Sequence, residues 1–351
     1  MKYKVFNIAL AIMLSVVLSS GTVSASSTET SFFSNDEIKN QIETSLTEGY
    51  QEYYNIDHFD ITLCDDGTYF VEMTATLKAQ SVEELDYYQG AMQYIAKNSS
   101  GTKASSEQAE KLYDNLFAYI GKSQILNFYI TPDIVRSNHT ATCELLYEDG
   151  LGYVSAEDIF PPRHDEIFNC GYSYMESSSK SNLQRYNASS ASDSNETIFS
   201  ILNAVLYSES YTSNPTSCNL HSNCGKLVDT TKYNSNYTHY ASTHSDCANF
   251  VSQTLYAGGI PTSTTWYAGS SNWIGVANLC SYMLDNGYWK SIDKSALFVG
   301  DYMRYTGKGE SHIVMITAHD GVSFRYSGHT NDRQNVVTSL SGSKTFYHVI
   351  Y

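Results

Sequence analysis

The stretch that decides the fold is "HSDCANFVSQTLYAGG", which runs from His244 to Gly259. Positions 247, 250, 251, 254 and 255 are Cys, Phe, Val, Thr and Leu, and this spacing puts them on one face of a helix. Ser245 or Asp246 can cap the first turn, and Gly258 can end the helix. The pattern therefore predicts a helix that begins at Cys247 and packs one face against a core.

A cysteine in the first turn of a helix lies where an anion is stabilised. The unpaired backbone N–H groups and the positive end of the helix dipole favour a thiolate by about 0.3–1 kcal/mol at an exposed site. A charged imidazole beside the sulfur would lower the thiol pKa further. The alternative is that Cys247 is a small apolar side chain on the core face of the helix. A base elsewhere in the chain decides between the two interpretations.

Candidate bases lie in the C-terminal part of the chain. The segment 296–332 reads "ALFVGDYMRYTGKGESHIVMITAHDGVSFRYSGHTND", and its pattern predicts three strands. The Asp-Gly pair at 320–321 is typical of a two-residue hairpin turn, which would place His312 directly opposite His329. His312 is therefore the candidate base, and His329 is the candidate for the residue that orients it. Asn331 is the alternative, and a register slip of one residue would break the pairing.

A helix that opens with cysteine, followed by a sheet that carries histidine, is the order of papain-like hydrolases. The segments "DCANFVSQTLYAGG", "WYAGSSNWIGV", "VGDYMRY", "SHIVMIT" and "YSGHTND" resemble the "putative amidase domain" family of bacterial exported proteins. That family is similar to CHAP-type cell-wall Cys/His amidohydrolases with a papain-like fold. The resemblance covers about residues 186–351. It implies that Cys247 is the nucleophile and His312 the base, with His329 or Asn331 as the third residue.

The chain departs from papain at the position six residues before the cysteine, where Ala241 stands in place of a glutamine. The donors that would stabilise an oxyanion are therefore not all assigned. The backbone N–H of Cys247 is the natural first donor, and Tyr237 or Tyr240 could supply the second. Trp266 and Tyr240 are candidate substrate-binding residues. For Trp266, packing in the core is the alternative.

The N-terminal residues have the layout of a secretory signal peptide. Lys2 and Lys4 precede an apolar run over 5–18, and small residues surround a cleavage point after Ala25. The alternative is a membrane anchor, but the run is short for a span of about 20 residues. We expect residues 1–25 to be removed. The mature protein is then expected to be secreted or associated with the cell envelope, without stable insertion in a membrane.

The mature chain is expected to contain two α+β domains. Between residues 177 and 195, eleven of nineteen residues are Ser or Asn, so this stretch is a linker or the exposed start of a helix. It follows an α+β domain of unknown role at 26–176. The papain-like domain, in which the cysteine helix packs on an antiparallel sheet, is placed at 186–351. A fragment from about residue 186 onward is expected to fold on a core of its own.

Local signals are strong in the first of these domains. Ser34 and Glu37 form a capping-box pattern, and a helical face follows from Ile38 onward. The segment 59–77 predicts two strands around an Asp-Gly turn at 66–67. No nucleophile–base pair stands out in this half.

Composition excludes several partners. The formal net charge of −16 would repel a phosphate backbone, which argues against nucleic acid.

The seven cysteines are an odd number, so an exported chain keeps at least one free thiol, and we expect that thiol to be Cys247. Cys218 and Cys224 are the best candidates for a disulfide. A zinc site at Cys218, His221 and Cys224 lacks a standard ligand spacing, so no metal or cofactor is expected.

Three functions are compatible with these patterns. The favoured one is a cysteine amidase or peptidase that cleaves an amide bond through a thioester, with peptidoglycan among its candidate substrates. The second is a non-catalytic binding module that keeps the papain-like fold. The third is a metal-dependent hydrolase that uses His312, His319 and His329, although the chain contains no HExxH motif. The presence of both Cys247 and His312 favours the first.

Overall fold

The structure is a computed structural model, and it is mixed α+β, as predicted. The expected signal peptide and two members of the expected disulfide and zinc sites, His221 and Cys224, lie outside the described residues. Among the helices that are described, none combines the length and the apolar character needed to span a membrane. The structure describes residues 33–98, 103–137, 140–150, 152–189, 199–220, 225–243, 245–307 and 310–351.

The elements of these ranges are numbered in chain order. The α-helices are α1 Asn35–Tyr50, α2 Asp86–Asn98, α3 Lys103–Phe117, α4 Ala156–Ile159, α5 His164–Ser189, α6 Ile201–Ser210, α7 Cys247–Ala257, α8 Ser271–Ile274 and α9 Val276–Asp285. The strands are β1 Tyr54–Leu63, β2 Tyr69–Leu77, β3 Ser123–Ser137, β4 Thr140–Glu148, β5 Tyr153–Val154, β6 Trp289–Ile292, β7 Tyr302–Gly307, β8 Glu310–His319, β9 Phe324–Gly328, β10 Arg333–Val337 and β11 Lys344–Val349. Short 3-10 helices occupy Val82–Glu84, Thr230–Lys232, Ala241–Thr243 and Lys294–Ala296.

The predicted local signals are confirmed. Helix α1 begins with a capping box in which Ser34 and Glu37 bond each other's backbone N–H groups. Strands β1 and β2 form the hairpin around residues 66–67, with Leu63 opposite Tyr69. Helix α7 begins at Cys247 as expected. Residues 247–255 of this helix are all buried, so it is covered on every side rather than on one face.

The described strands form one sheet in the order β1-β2-β3-β10-β9-β8-β7-β11-β6, with β4 beside β3 and β5 beside β4. Neighbouring strands are antiparallel except β3 and β10, which pair in parallel with Asn127 opposite Val336. The Asn127 side-chain amide also donates to the backbone oxygen of Gln334 at 3.2 Å. The sheet therefore continues from the N-terminal half of the chain into the C-terminal half.

The hydrophobic core only partly follows the division expected at residues 177–195. Val322 and Val337 pack in a cluster built mainly by the N-terminal helices and strands. In the other direction, Phe70 and Tyr129 pack with strands β7 to β11 on the opposite side of the sheet. Among the described residues, one cluster, around helix α7, is built from residues 199–351 alone, as a separate C-terminal core would require. Two other clusters combine side chains from both halves, so the division at 177–195 stays a prediction.

Two glycines let helices α2 and α5 cross at backbone contact. A Cβ atom on Gly90 would lie 1.9 Å from the backbone oxygen of Phe168, and one on Gly171 would lie 1.8 Å from that of Tyr87. Both distances are far below any van der Waals contact. The crossing holds α2 against the sheet, where the ring of Tyr87 lies 4.5 Å from that of His319 between centroids.

Gly171→Ala is expected to destabilise the protein by about 1–3 kcal/mol, because backbone atoms would have to separate to admit the methyl group. The measurement is the free energy of unfolding in urea. Gly152→Ala is the matched control, since nothing lies within 4 Å of a Cβ atom at that position. Equal stability of the two variants would contradict the close crossing of the helices.

A fragment that begins at residue 186 is expected to lack cooperative unfolding, because it loses the β3 partner of β10 and the rings of Phe70 and Tyr129. The measurement is urea unfolding of this fragment beside a chain that begins at residue 33. A soluble fragment with an equally sharp transition would show that the C-terminal part can fold alone after all.

Candidate active site

The hairpin between β8 and β9 has a different register from the predicted one. Ile316 lies opposite Tyr326 rather than Arg325, and an irregularity follows around Thr317. The Asp320 carboxylate accepts hydrogen bonds from the backbone N–H groups of the two residues at 322–323, at 3.0 and 2.9 Å. An aspartate that bonds the backbone ahead of it widens the turn beyond two residues. The predicted pairing of His312 with His329 is therefore wrong.

The changed register brings His329 to the start of the cysteine helix. Its Nδ1 lies 2.7 Å from a carboxylate oxygen of Asp246, and both side chains are 1% exposed. Its Nε2 lies 2.7 Å from the backbone oxygen of Tyr211. Both partners only accept hydrogen bonds, so both ring nitrogens carry a proton and the ring is an imidazolium.

The charged state of His329 agrees with its surroundings. Burial acts to lower the pKa of this ring, but the hydrogen bond to Asp246 and the negative charges of Asp332 and Asp246 outweigh it, so the pKa is raised. The ring is stacked on Tyr233, with centroids 3.7 Å apart and planes at 5°, and lies 4.3 Å from the ring of Phe250. His329 is thus a fixed buried cation. The predicted cross-strand pairing with His312, from which its role in orienting that ring was inferred, is absent.

Asp246 does not cap α7 with its side chain, contrary to one of the two expectations for that turn. Its other carboxylate oxygen accepts from the backbone N–H of Tyr240 at 2.6 Å and from the side-chain amide of Asn249 at 3.0 Å. The first N–H groups of the helix instead donate to Thr330, which lies 83 positions after Cys247. The hydroxyl of Thr330 accepts from the N–H of Cys247 at 3.1 Å and from that of Asp246 at 2.9 Å.

Cys247 is 6% exposed, and its sulfur is surrounded by donors. The backbone N–H groups of Ile313 and Ala248 and the hydroxyl of Thr330 act to lower the pKa of the Cys247 thiol. Burial nevertheless dominates and raises the pKa of the thiol to about 11. The lowered thiol pKa expected from the helix start is therefore not found, because loss of solvent outweighs the helix N-terminus.

His312 directly precedes Ile313 in β8, and Ile313 lies in the same buried cluster as Cys247. The ring of His312 is 9% exposed and stacked near Tyr305, with centroids 6.2 Å apart. Within the described ranges no hydrogen bond to either ring nitrogen is present.

The protonation state of His312 suits a base. Burial, followed by the positive charges of Lys226 and Arg333, lowers the pKa of its ring to about 3. The imidazole is therefore neutral at pH 7 and can accept a proton. At neutral pH the resting protein therefore holds Cys247 as a thiol and His312 as a neutral imidazole.

Asn331, the alternative orienting residue, is held by other partners. Its side-chain oxygen accepts from the N–H of Leu227 at 2.8 Å, and its amide nitrogen donates to Glu148 at 3.2 Å. Glu148 also pairs with Arg333, whose guanidinium lies 3.5 Å above the ring of Tyr129. Sequence reasoning missed Glu148, because it lies in the first half of the chain and only the shared sheet brings it here.

The candidate substrate-binding residues differ in their placement. Trp266 is fully buried, stacked on Trp273 at 4.7 Å, and its indole N–H donates to the Ser252 hydroxyl at 3.4 Å. It packs in the core, which corrects its assignment to the wall of a cleft. Tyr240 is half-buried, so its contact with substrate stays a prediction. The backbone N–H of Tyr240 is bonded to Asp246 and is not a free oxyanion donor.

His319 lies at the other end of β8 from His312, seven residues away, which is roughly 24 Å along a strand. Its ring is stacked on Phe324, with centroids 3.8 Å apart and planes at 9°. Burial lowers the pKa of His319 to about 3. The separation removes the basis for a metal site built from His312, His319 and His329. Within the described part of the chain, no group of three potential metal ligands is present.

His319→Phe is expected to flatten the dependence of stability on acidic pH. The folded pKa of His319 is about 3 against an ordinary value of 6.5, so its neutral form contributes stability above pH 6.5 that is lost as pH falls toward 3. Between pH 6 and 4.5, the free energy of unfolding of the wild type should fall with pH more steeply than that of His319→Phe. The difference is about 1.4 kcal/mol per pH unit, which corresponds to the uptake of one proton on unfolding. Urea titrations at several pH values measure this, and identical slopes would show that His319 is not buried neutral.

Comparison with known proteins places relatives on part of the chain only. The chain is 29% identical over 133 residues to "Uncharacterized protein YjcM" of Bacillus subtilis (strain 168). The alignment covers 33% of this chain and 32% of that protein, so the chain spans about a third of the length of this relative. No solved structure matches the chain. Residues 200–350 match the family model described as "Putative amidase domain", which confirms the resemblance to that family.

Proposed function

We propose that the protein is a cysteine amidohydrolase with a papain-like arrangement, in which Cys247 attacks an amide carbonyl and His312 moves the proton. One observation carries this proposal. Cys247, at the first residue of a helix, lies in one buried cluster with Ile313, the residue directly after His312, and the N–H of Ile313 acts to lower the pKa of the thiol. The family match over residues 200–350 supports the same class of reaction.

The neutral state of both groups sets the order of the steps. At neutral pH the thiol keeps its proton and His312 is free to take it, so proton transfer accompanies the attack of sulfur on the carbonyl carbon. The protonated His312 then donates to the nitrogen of the leaving amine as the C–N bond breaks. This step leaves a thioester on Cys247. His312 next takes a proton from water, which attacks the thioester and releases a carboxylic acid and the free thiol.

The oxyanion needs donors beside the reacting carbon. The N–H of Cys247 is the first candidate, and the hydroxyl oxygen of Thr330 occupies its acceptor position in the resting protein. A substrate carbonyl oxygen would share this N–H with the Thr330 hydroxyl, which stays beside Cys247. Donors aimed at a developing oxyanion typically contribute about 2.7–4 kcal/mol each.

Substrate and location are inferred from the sequence. We infer an amide or peptide substrate outside the cytoplasm, with peptidoglycan peptides as the leading class. The signal-peptide pattern of residues 1–25 and the resemblance to cell-wall amidases support this inference. The formal charge of −16 argues against a polyanionic substrate.

Cys247→Ala and His312→Ala are expected to reduce amide hydrolysis by about 10³-fold or more, since each removes a group that takes part in bond formation or proton transfer. The measurement is release of free amine from a panel of peptidoglycan peptides and simple acyl amides. Cys280→Ala and His319→Phe are the matched controls, because both side chains are buried away from the reacting pair, and they should keep activity.

Folded Cys247→Ala and His312→Ala variants with undiminished hydrolysis would overturn the assignment of both residues. A wild-type protein that binds these peptides and hydrolyses none of them would favour the non-catalytic binding module instead.

A further inference from the structure

Thr330 has a backbone conformation that its residue type avoids. Its φ is 93°, and the other described non-glycine residue with a positive φ is Asn335, a type that tolerates this region better. A β-branched residue there costs on the order of 1–3 kcal/mol and persists only where surrounding contacts hold it. Strain of this kind concentrates at functional sites, so the contacts that hold Thr330 need an explanation.

Two of those contacts lie at the start of the cysteine helix. The Thr330 oxygen accepts from the N–H of Cys247 and from that of Asp246, which uses both of its lone pairs. The single hydroxyl proton is then left to donate, and the Thr330 hydroxyl is among the groups that act to lower the pKa of Cys247. The preceding residue, His329, is fixed by its ion pair with Asp246. Residues 329–330 therefore hold residues 246–247, and the positive φ of Thr330 is kept at this point.

We propose that Thr330 is a further catalytic residue of the candidate site, whose hydroxyl holds the Cys247 sulfur and stabilises it as it becomes a thiolate. This inference rests on the proposed function. A hydrogen bond to a charged acceptor is stronger than one to a neutral acceptor, so the bond from Thr330 strengthens as the proton of Cys247 passes to His312. Thr330 itself gains and loses no proton.

The half-buried position of Thr330 fits this role. It lies over a sulfur that is otherwise shut away from solvent, where backbone N–H groups of Ile313 and Ala248 are the other donors. Water cannot replace a lost hydroxyl easily at such a site. Removal of the hydroxyl should therefore show in the ionisation of Cys247 and not only in overall stability.

The test is the rate of iodoacetamide alkylation at Cys247 between pH 7 and 10.5, measured in the full-length protein by mass spectrometry of the Cys247 peptide. Thr330→Val keeps the shape and removes the hydroxyl. Thr330→Gly also removes it and suits a positive φ, so one variant should fold even if the other does not. Both are expected to lower the rate by about 10- to 100-fold at a given pH and to move the profile toward higher pH, as for loss of a hydrogen bond to a charged group.

Two controls separate this role from a structural one. Thr330→Ser keeps the hydroxyl and should stay within about threefold of the wild-type rate. Thr254→Val makes the same substitution at a buried position of α7 whose hydroxyl bonds Val251 and Tyr302, and it should leave the Cys247 profile unchanged.

The outcomes distinguish this inference from the proposed function. Wild-type profiles in both Thr330→Val and Thr330→Gly would overturn the role of Thr330, whatever the protein hydrolyses. If Cys247→Ala abolishes hydrolysis while these two variants alkylate normally, the proposed function stands and this inference fails. If the two variants shift the profile but the wild type cleaves no amide, the hydroxyl acts on the thiol and the proposed function fails.

Discussion

The ion pair between Asp246 and His329 is the interaction on which the rest of the site depends. It joins the start of the cysteine helix to the end of β9, and both side chains are almost fully buried. Loss of one partner would leave an unpaired charge inside the protein, which typically costs about 3–5 kcal/mol. Because Cys247 and Thr330 directly follow these two residues, the pair also holds together the segments that carry them, which the bond from the Cys247 N–H to the Thr330 hydroxyl joins again. The stacked ring of Tyr233 and the nearby Asp332 complete its surroundings.

The first half of the chain takes part in this arrangement although the family match begins at residue 200. Strand β3 continues the sheet through β10, and Glu148 at the end of β4 binds both Asn331 and Arg333. These contacts support the segment that carries His329 and Thr330. The N-terminal half is therefore part of the body that positions the candidate site, and not merely a spacer in front of it.

The resting state of the nucleophile follows from burial. Cys247 and His312 have each lost most of their solvent, which disfavours the charged form of both side chains. A thiolate–imidazolium pair formed before substrate arrives would be costly in such a site. A neutral pair avoids this cost. In the proposed mechanism, charge develops only when the sulfur attacks, and the donors near Cys247 would contribute most to the rate at that step.

The sequence by itself determined the helix at Cys247, the capping box at Ser34, the mixed α+β class and the resemblance to the amidase family, because each depends on spacing between residues close in the chain. It did not determine the β8–β9 register, since the Asp320 carboxylate accepts hydrogen bonds from the backbone ahead of it and lengthens the turn. The partner of His329, the raised pKa of the Cys247 thiol and the position of Glu148 were decided by tertiary structure alone. These features arise from contacts between segments more than 80 residues apart or from burial by the whole fold. Long-range contact and burial leave no local pattern in the sequence.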